Sequence, residues 1–155
     1  MLLRRAAGEN TIQLGSVMSD NLSSQANLSE IEAASAGIFD DFRDCPEVLD
    51  SVAVLFRETY PLDARSLRSA LTVRDSAKIA FLAHKMRGSV LCFHQEGAAR
   101  IATALEEKAR RDDLQGTDKL IESLTQTYEL VCSSLERAGR MFVEGAADHD
   151  LRLAE

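Results

Sequence analysis

Hydrophobic positions in this chain recur at helical spacing from about residue 30 to residue 142, with no stretch of the alternation that marks a strand. Ser29 and Glu32 in "SEIE" have the spacing of a capping box and predict a short helix from Ser29 to about Phe42. "DCP" then interrupts the pattern, with Pro46 suited to a first helical position behind a cap at Asp44 or Cys45. Val48, Leu49, Val52, Leu55 and Phe56 form the next apolar stripe. Pro61 either kinks or splits this helix, and Leu67, Ala70 and Leu71 resume the stripe. Asp75 caps a third segment running to about Phe93, with Ile79, Leu82, Ala83, Met86, Val90 and Phe93 on its inner side.

The pattern loses phase near His94, where a turn is expected. Ala98, Ile101, Ala102, Leu105 and Ala109 make a fourth stripe. After the polar break "RRDDLQGTD", Leu120, Leu124, Tyr128, Val131, Leu135 and Phe142 make the last. The pattern predicts an all-α, antiparallel up-down-up-down four-helix bundle, with the short extra N-terminal helix packed across one end. Residues 1–27 are read as a flexible N-terminal segment, 28–145 as the bundle and 146–155 as a C-terminal tail. Met18 opens a stretch that would itself make a plausible protein start, so the first 17 residues are expected to matter little to the fold.

Composition narrows what such a bundle does. The 155 residues fit one domain, and 45% of them are hydrophobic, enough for a core. A net charge of −7 argues against nucleic acid or an anionic membrane as the main partner, because both need a basic footprint. No apolar run approaches the roughly 18 residues of a membrane span, and "MLLRRAAGEN" lacks the apolar core of a secretory signal. Cys45, Cys92 and Cys132 are far apart and without metal spacing. They read as reduced, small buried residues of a cytoplasmic protein, expected to be a monomer. No Glu-x-x-His pair favours a di-iron bundle, and His149 reads as a solvated tail residue.

The candidate chemistry lies in "AHKMRGS", residues 83–89. At about 100° per residue, His84 falls roughly 155° from the centre of its helix's apolar stripe and should face solvent. Its outer neighbours are not the charged residues of an ordinary solvated face. Ala80 and Gly88 lie one turn either side, Phe81 and Leu91 share the outward side, and Lys85 and Arg87 stand at the edges. A glycine inside a helix costs roughly 0.5–1 kcal/mol against alanine, which makes sense if something must approach closely there. An exposed small and apolar patch around one imidazole, rimmed by charge, is a docking surface more often than an accident.

"LAHKMRGS" resembles the signature of histidine-containing phosphotransfer (HPt) domains, and the resemblance extends over about residues 29–142, through "VLFRETYPLDARSLRSALTVRDSAKIAFLAHKMRGS" and "RIATALEEKARR". It implies a four-helix bundle whose exposed histidine carries a phosphoryl group between receiver-domain aspartates, or from a hybrid sensor histidine kinase. By position, His84 is then the carrier, Arg87 the basic residue that stabilises phosphoryl charge, and Gly88 and Ser89 the small residues after it. Lys85 is a second basic candidate, and Ala80, Phe81 and Leu91 face the partner. Glu106, 22 positions beyond His84, matches the Gln or Glu that orients the imidazole. Helical phase agrees, placing Glu106 at the flank of its apolar stripe and Glu107 nearly opposite. His94 stands where the family usually has glycine, which puts the geometry of that turn in question.

The resemblance implies response-regulator receiver domains as partners. Mg2+ is expected at the receiver and no metal or other cofactor on this chain, which has no glycine-rich nucleotide loop and so no means of autophosphorylation. Two alternatives use the same face: a module that binds or sequesters a receiver without phosphotransfer, and a bundle that hydrolyses phospho-aspartate.

Overall fold

The computed structural model describes residues 12–153, with side chains described over residues 25–145. Five helices make up the fold: α1 (Ile12–Asp41), α2 (Pro46–Thr72), α3 (Ser76–Leu91), α4 (Glu96–Arg110) and α5 (Thr117–Leu153). Among the described residues there is no strand, and no helix is long and apolar enough to cross a membrane.

Helix starts follow local chemistry. Pro46 occupies the first position of α2, where its missing N–H costs nothing, behind a Cys45 cap whose side chain makes no bond. At α3 the Asp75 carboxylate accepts from the Lys78 backbone N–H at 3.0 Å. Pro61 does not split α2, which runs unbroken past it.

The helix ends are alike. Helices α2, α3 and α4 each stop on a non-glycine residue in the left-handed region: Arg74 (φ 55°), His94 (φ 56°) and Asp112 (φ 54°). At each, this residue's N–H donates three residues back and the next N–H five back: Arg74 to Leu71 and Asp75 to Ala70, His94 to Leu91 and Gln95 to Val90, Asp112 to Ala109 and Asp113 to Lys108. This is the Schellman closure, which satisfies the last carbonyls of a helix and reverses the chain within a few residues. His94 therefore adopts the conformation that glycine would have adopted.

Cross-helix pairs count down one helix as they count up the next. Asp63 meets Lys85 between α2 and α3, and Phe56 meets Phe93 in the turn that follows α3; His84 meets Glu106 between α3 and α4, and Ser76 meets Asp112 in the turn that follows α4. Leu67 of α2, Ile79 and Met86 of α3, Leu105 of α4 and Ile121, Leu124 and Val131 of α5 are buried in the core they share. Phe56, Tyr60, Phe93 and Tyr128 form an aromatic cluster in the middle. The Tyr60 hydroxyl donates to the Leu124 carbonyl at 2.7 Å and shares a 2.8 Å hydrogen bond with Thr127 Oγ1.

Three expectations change. Helix α1 is not short and does not begin at Ser29, which is exposed in its interior. A Ser/Glu pair three apart also suits the solvated side of a continuous helix, so the spacing cannot mark a start by itself. Helix α1 packs chiefly on α5, through a Phe39–Phe142 ring contact at 4.5 Å and an Arg137–Glu32 ion pair at 3.3 Å. Val48 and Leu55, placed on the inner stripe of α2, are exposed instead, because Leu49, Ala53, Phe56 and Tyr60 already fill that side. The cysteines are free thiols but not buried: Cys92 is exposed, Cys45 and Cys132 half-buried. The side chain of His149 lies outside the described residues, as do the structures of residues 1–11 and 154–155.

Candidate functional site

Burial of Ile79, Leu82, Ala83, Met86 and Val90 fixes the rotation of α3. That rotation turns His84 away from the core, and its side chain is 59% exposed. The inner edge of the ring is held. His84 Nδ1 lies 3.0 Å from Glu106 Oε1, and Glu106 is 2% exposed, planted on the inner flank of α4 beside Leu105. Glu107 faces solvent.

A buried carboxylate needs compensation, since desolvating an ion is costly unless it is paired. Two guanidiniums supply it. Arg87 Nη1 is 3.0 Å from Glu106 Oε2, and Arg110 Nη2 is 2.5 Å from Glu106 Oε1. Oε2 receives no properly angled donor, so this oxygen is buried with an ionic neighbour and no hydrogen bond.

Arg87 Nη2 also lies 3.0 Å from His84 Nδ1. The two contacts of Nδ1 exclude each other. Protonated, Nδ1 donates to Glu106; unprotonated, it accepts from Arg87. An ionised carboxylate only accepts, so pairing with Glu106 requires Nδ1–H and leaves the lone pair on Nε2, at the exposed edge of the ring.

Gly88 is exposed, and a Cβ built there would meet nothing within 4 Å. Packing inside the molecule therefore gives no reason for a glycine. Ser89 donates back to the Lys85 carbonyl at 3.3 Å, within its own helix. The Lys85 ammonium lies 2.8 Å from Asp63 Oδ1 on α2, so it ties α3 to α2 and is not turned toward the imidazole network. Phe81 (67% exposed) and Leu91 (42%) flank His84 along α3, and Ala80 is half-buried against the core.

Sequence reasoning missed part of this site. Arg110 carries a signal, the i,i+4 spacing from Glu106 that places ion-paired side chains together on a helix. Asp63 carries none, because its partner comes from another helix. Leu55 and Leu62 on α2 are exposed and widen the apolar surface beside α3. A groove of about 180 Å³ opens between the two helices, lined by Val52, Leu55, Phe56, Thr59, Ser89, Cys92 and Phe93. Among the described residues, no three His, Cys, Asp or Glu side chains gather as a metal site.

The chain is similar to the crystal structure of histidine-containing phosphotransfer protein B (HptB) from Pseudomonas aeruginosa PAO1, with a match that covers 70% of the present chain and 92% of HptB at 25% identity and a TM-score of 0.56. None of the curated proteins matches the chain significantly. The model of the Hpt domain family matches residues 51–138, more than half of the sequence and the part that holds His84, Arg87, Glu106 and Arg110. This chain is a member of the Hpt domain family, the histidine phosphotransfer modules of phosphorelays.

Proposed function

We propose that His84 is the phosphoryl carrier, accepting the group from a receiver-domain aspartate or hybrid kinase and passing it to a second receiver. The observation that carries the reading is a solvent-exposed imidazole whose inner nitrogen rests on a buried, doubly ion-paired carboxylate.

Such a transfer balances simply. The Nε2 lone pair attacks phosphorus, the bond from phosphorus to the aspartyl oxygen breaks, and the carboxylate leaves with the electron pair. Nδ1 keeps its proton throughout, so the phosphorylated ring is cationic and Glu106 lies against its positive edge. The same charge makes the ring a good leaving group in the reverse direction. Catalysis of this kind is mostly positioning and charge stabilisation. Arg87 is the guanidinium next to the ring and reaches the incoming phosphoryl oxygens, while Mg2+ enters with the receiver's acidic pocket. Gly88 leaves the surface low beside the reacting nitrogen. Phe81, Leu91, Leu55 and Leu62 supply apolar contact to the docked receiver.

The test is incubation with phosphorylated receiver domains and Mg2+. The expected product is an acid-labile phosphohistidine at His84. Receiver binding without label would favour the sequestering module, and inorganic phosphate release without label would favour a phosphatase.

A further inference from the structure

Arg110 holds a place in the network that neither family resemblance nor helical phase assigned. We infer that Arg110 is a positioning residue: it keeps the Glu106 carboxylate paired and aimed at His84 Nδ1 while Arg87 turns to the phosphoryl group. The inference rests on His84 being the carrier.

Arg87 has two demands on it. In the unphosphorylated protein its guanidinium spans Glu106 Oε2 and His84 Nδ1, both at 3.0 Å. Phosphorylation places a dianionic group on the outer edge of the same ring, and that group draws the nearest guanidinium. Glu106 Oε2 then loses its sole cation, and this oxygen already lacks a hydrogen-bond donor. Glu106 is 2% exposed, so water cannot replace what Arg87 gave. Arg110 meets the other oxygen, Oε1, which is also the oxygen that accepts from His84. An oxygen of a carboxylate has room for both partners.

The two arginines therefore act on the imidazole in opposite senses. Arg87, as a donor at Nδ1, favours the form with the lone pair on that nitrogen, which has no nucleophile facing outward. Arg110, by holding Glu106 Oε1 in place as the acceptor, favours Nδ1–H and a free Nε2. The side chain of Arg110 is 65% exposed, so its substitution should leave the fold intact.

The imidazole 15N shifts of His84 read the tautomer directly, in the protein alone. Arg110→Met should move His84 toward the form with an unprotonated Nδ1, Arg87→Met should move it the other way, and Arg110→Lys should restore the wild-type spectrum in large part. With phosphoramidate as a chemical donor, Arg110→Met should label about tenfold more slowly, the lower end of what loss of an orienting partner behind an imidazole costs. An unchanged tautomer in Arg110→Met, with unfolding temperature also unchanged, overturns the inference. Because the spectrum needs no partner, this result is independent of whether wild-type protein accepts phosphoryl from a receiver, the outcome on which the carrier reading depends.

Discussion

At Gly88 the interests of the helix and of the reaction diverge. A Cβ there would touch nothing, and an exposed helical glycine is destabilising relative to alanine. Gly88→Ala should therefore raise the free energy of unfolding by roughly 0.5–1 kcal/mol in urea titration, while slowing phosphotransfer from a receiver. Faster or unchanged transfer would mean that nothing approaches this position closely. Glu106→Ala should lower the transfer rate by about 10–100-fold, since the ring loses its orienting acceptor and two guanidiniums lose their counter-charge. Single-turnover transfer from a labelled receiver measures it. His84, Arg87, Gly88 and Glu106 were all legible as candidates in the sequence, because a linear motif and helical phase suffice for residues on one helix and at a fixed offset on the next. Lys85 was legible as a basic candidate too, but its pairing with Asp63 was not, because that depends on how α2 lies against α3 and no spacing encodes it.

Among the elements, the turns and α1 hold the surprises. Arg74, His94 and Asp112 close three helices without glycine, so the sequence offered polar breaks but not their geometry. His94 also does more than turn the chain. Its Nε2 lies 2.8 Å from Asp41 Oδ2, and its ring fills the space where a Cβ on Gly37 would lie 2.7 Å away. The α3–α4 turn thus seats on the end of α1, and Gly37 is the residue that makes room. Gly37→Ala should displace the ring and lose the Asp41 pair, read as faster amide exchange near the end of α1 with the bundle core unchanged.

Tyr60 ties α2 to α5. Burial, with a smaller push from Asp63 against the opposing Thr127 hydrogen bond, raises its pKa from 10.0 to about 12. The neutral phenol is the form the fold accepts. A folded pKa above the unfolded one contributes stability in full below about pH 10, and that contribution is lost as pH rises through about 12. The loss amounts to about 2–3 kcal/mol. Tyr60→Phe should cost about 1 kcal/mol at neutral pH for the missing hydrogen bonds. It should overtake wild type as pH passes from 10 toward 12, measured by urea unfolding at each pH.

At the scale of the whole molecule, five helices present one face that combines an imidazole, a glycine, two arginines and exposed Phe81, Leu91, Leu55 and Leu62. The helical recurrence of apolar positions made the bundle legible, because one buried stripe per helix is all that such a fold requires. Its outer face was less legible. Leu55 reads as core from spacing alone, and only the crowding of the inner side by Leu49, Ala53, Phe56 and Tyr60 turns it outward, where it belongs to the surface beside His84. The central claim is that this surface exists to bring His84 Nε2 to a receiver's phosphate. The most direct measurement uses receiver domains phosphorylated with a radioactive label, mixed with wild-type protein and with His84→Gln in the presence of Mg2+. Rapid appearance of acid-labile label on the wild type, and none on His84→Gln, is the predicted result; label that persists on His84→Gln, or no label on wild type from any receiver of the same cell, would contradict it.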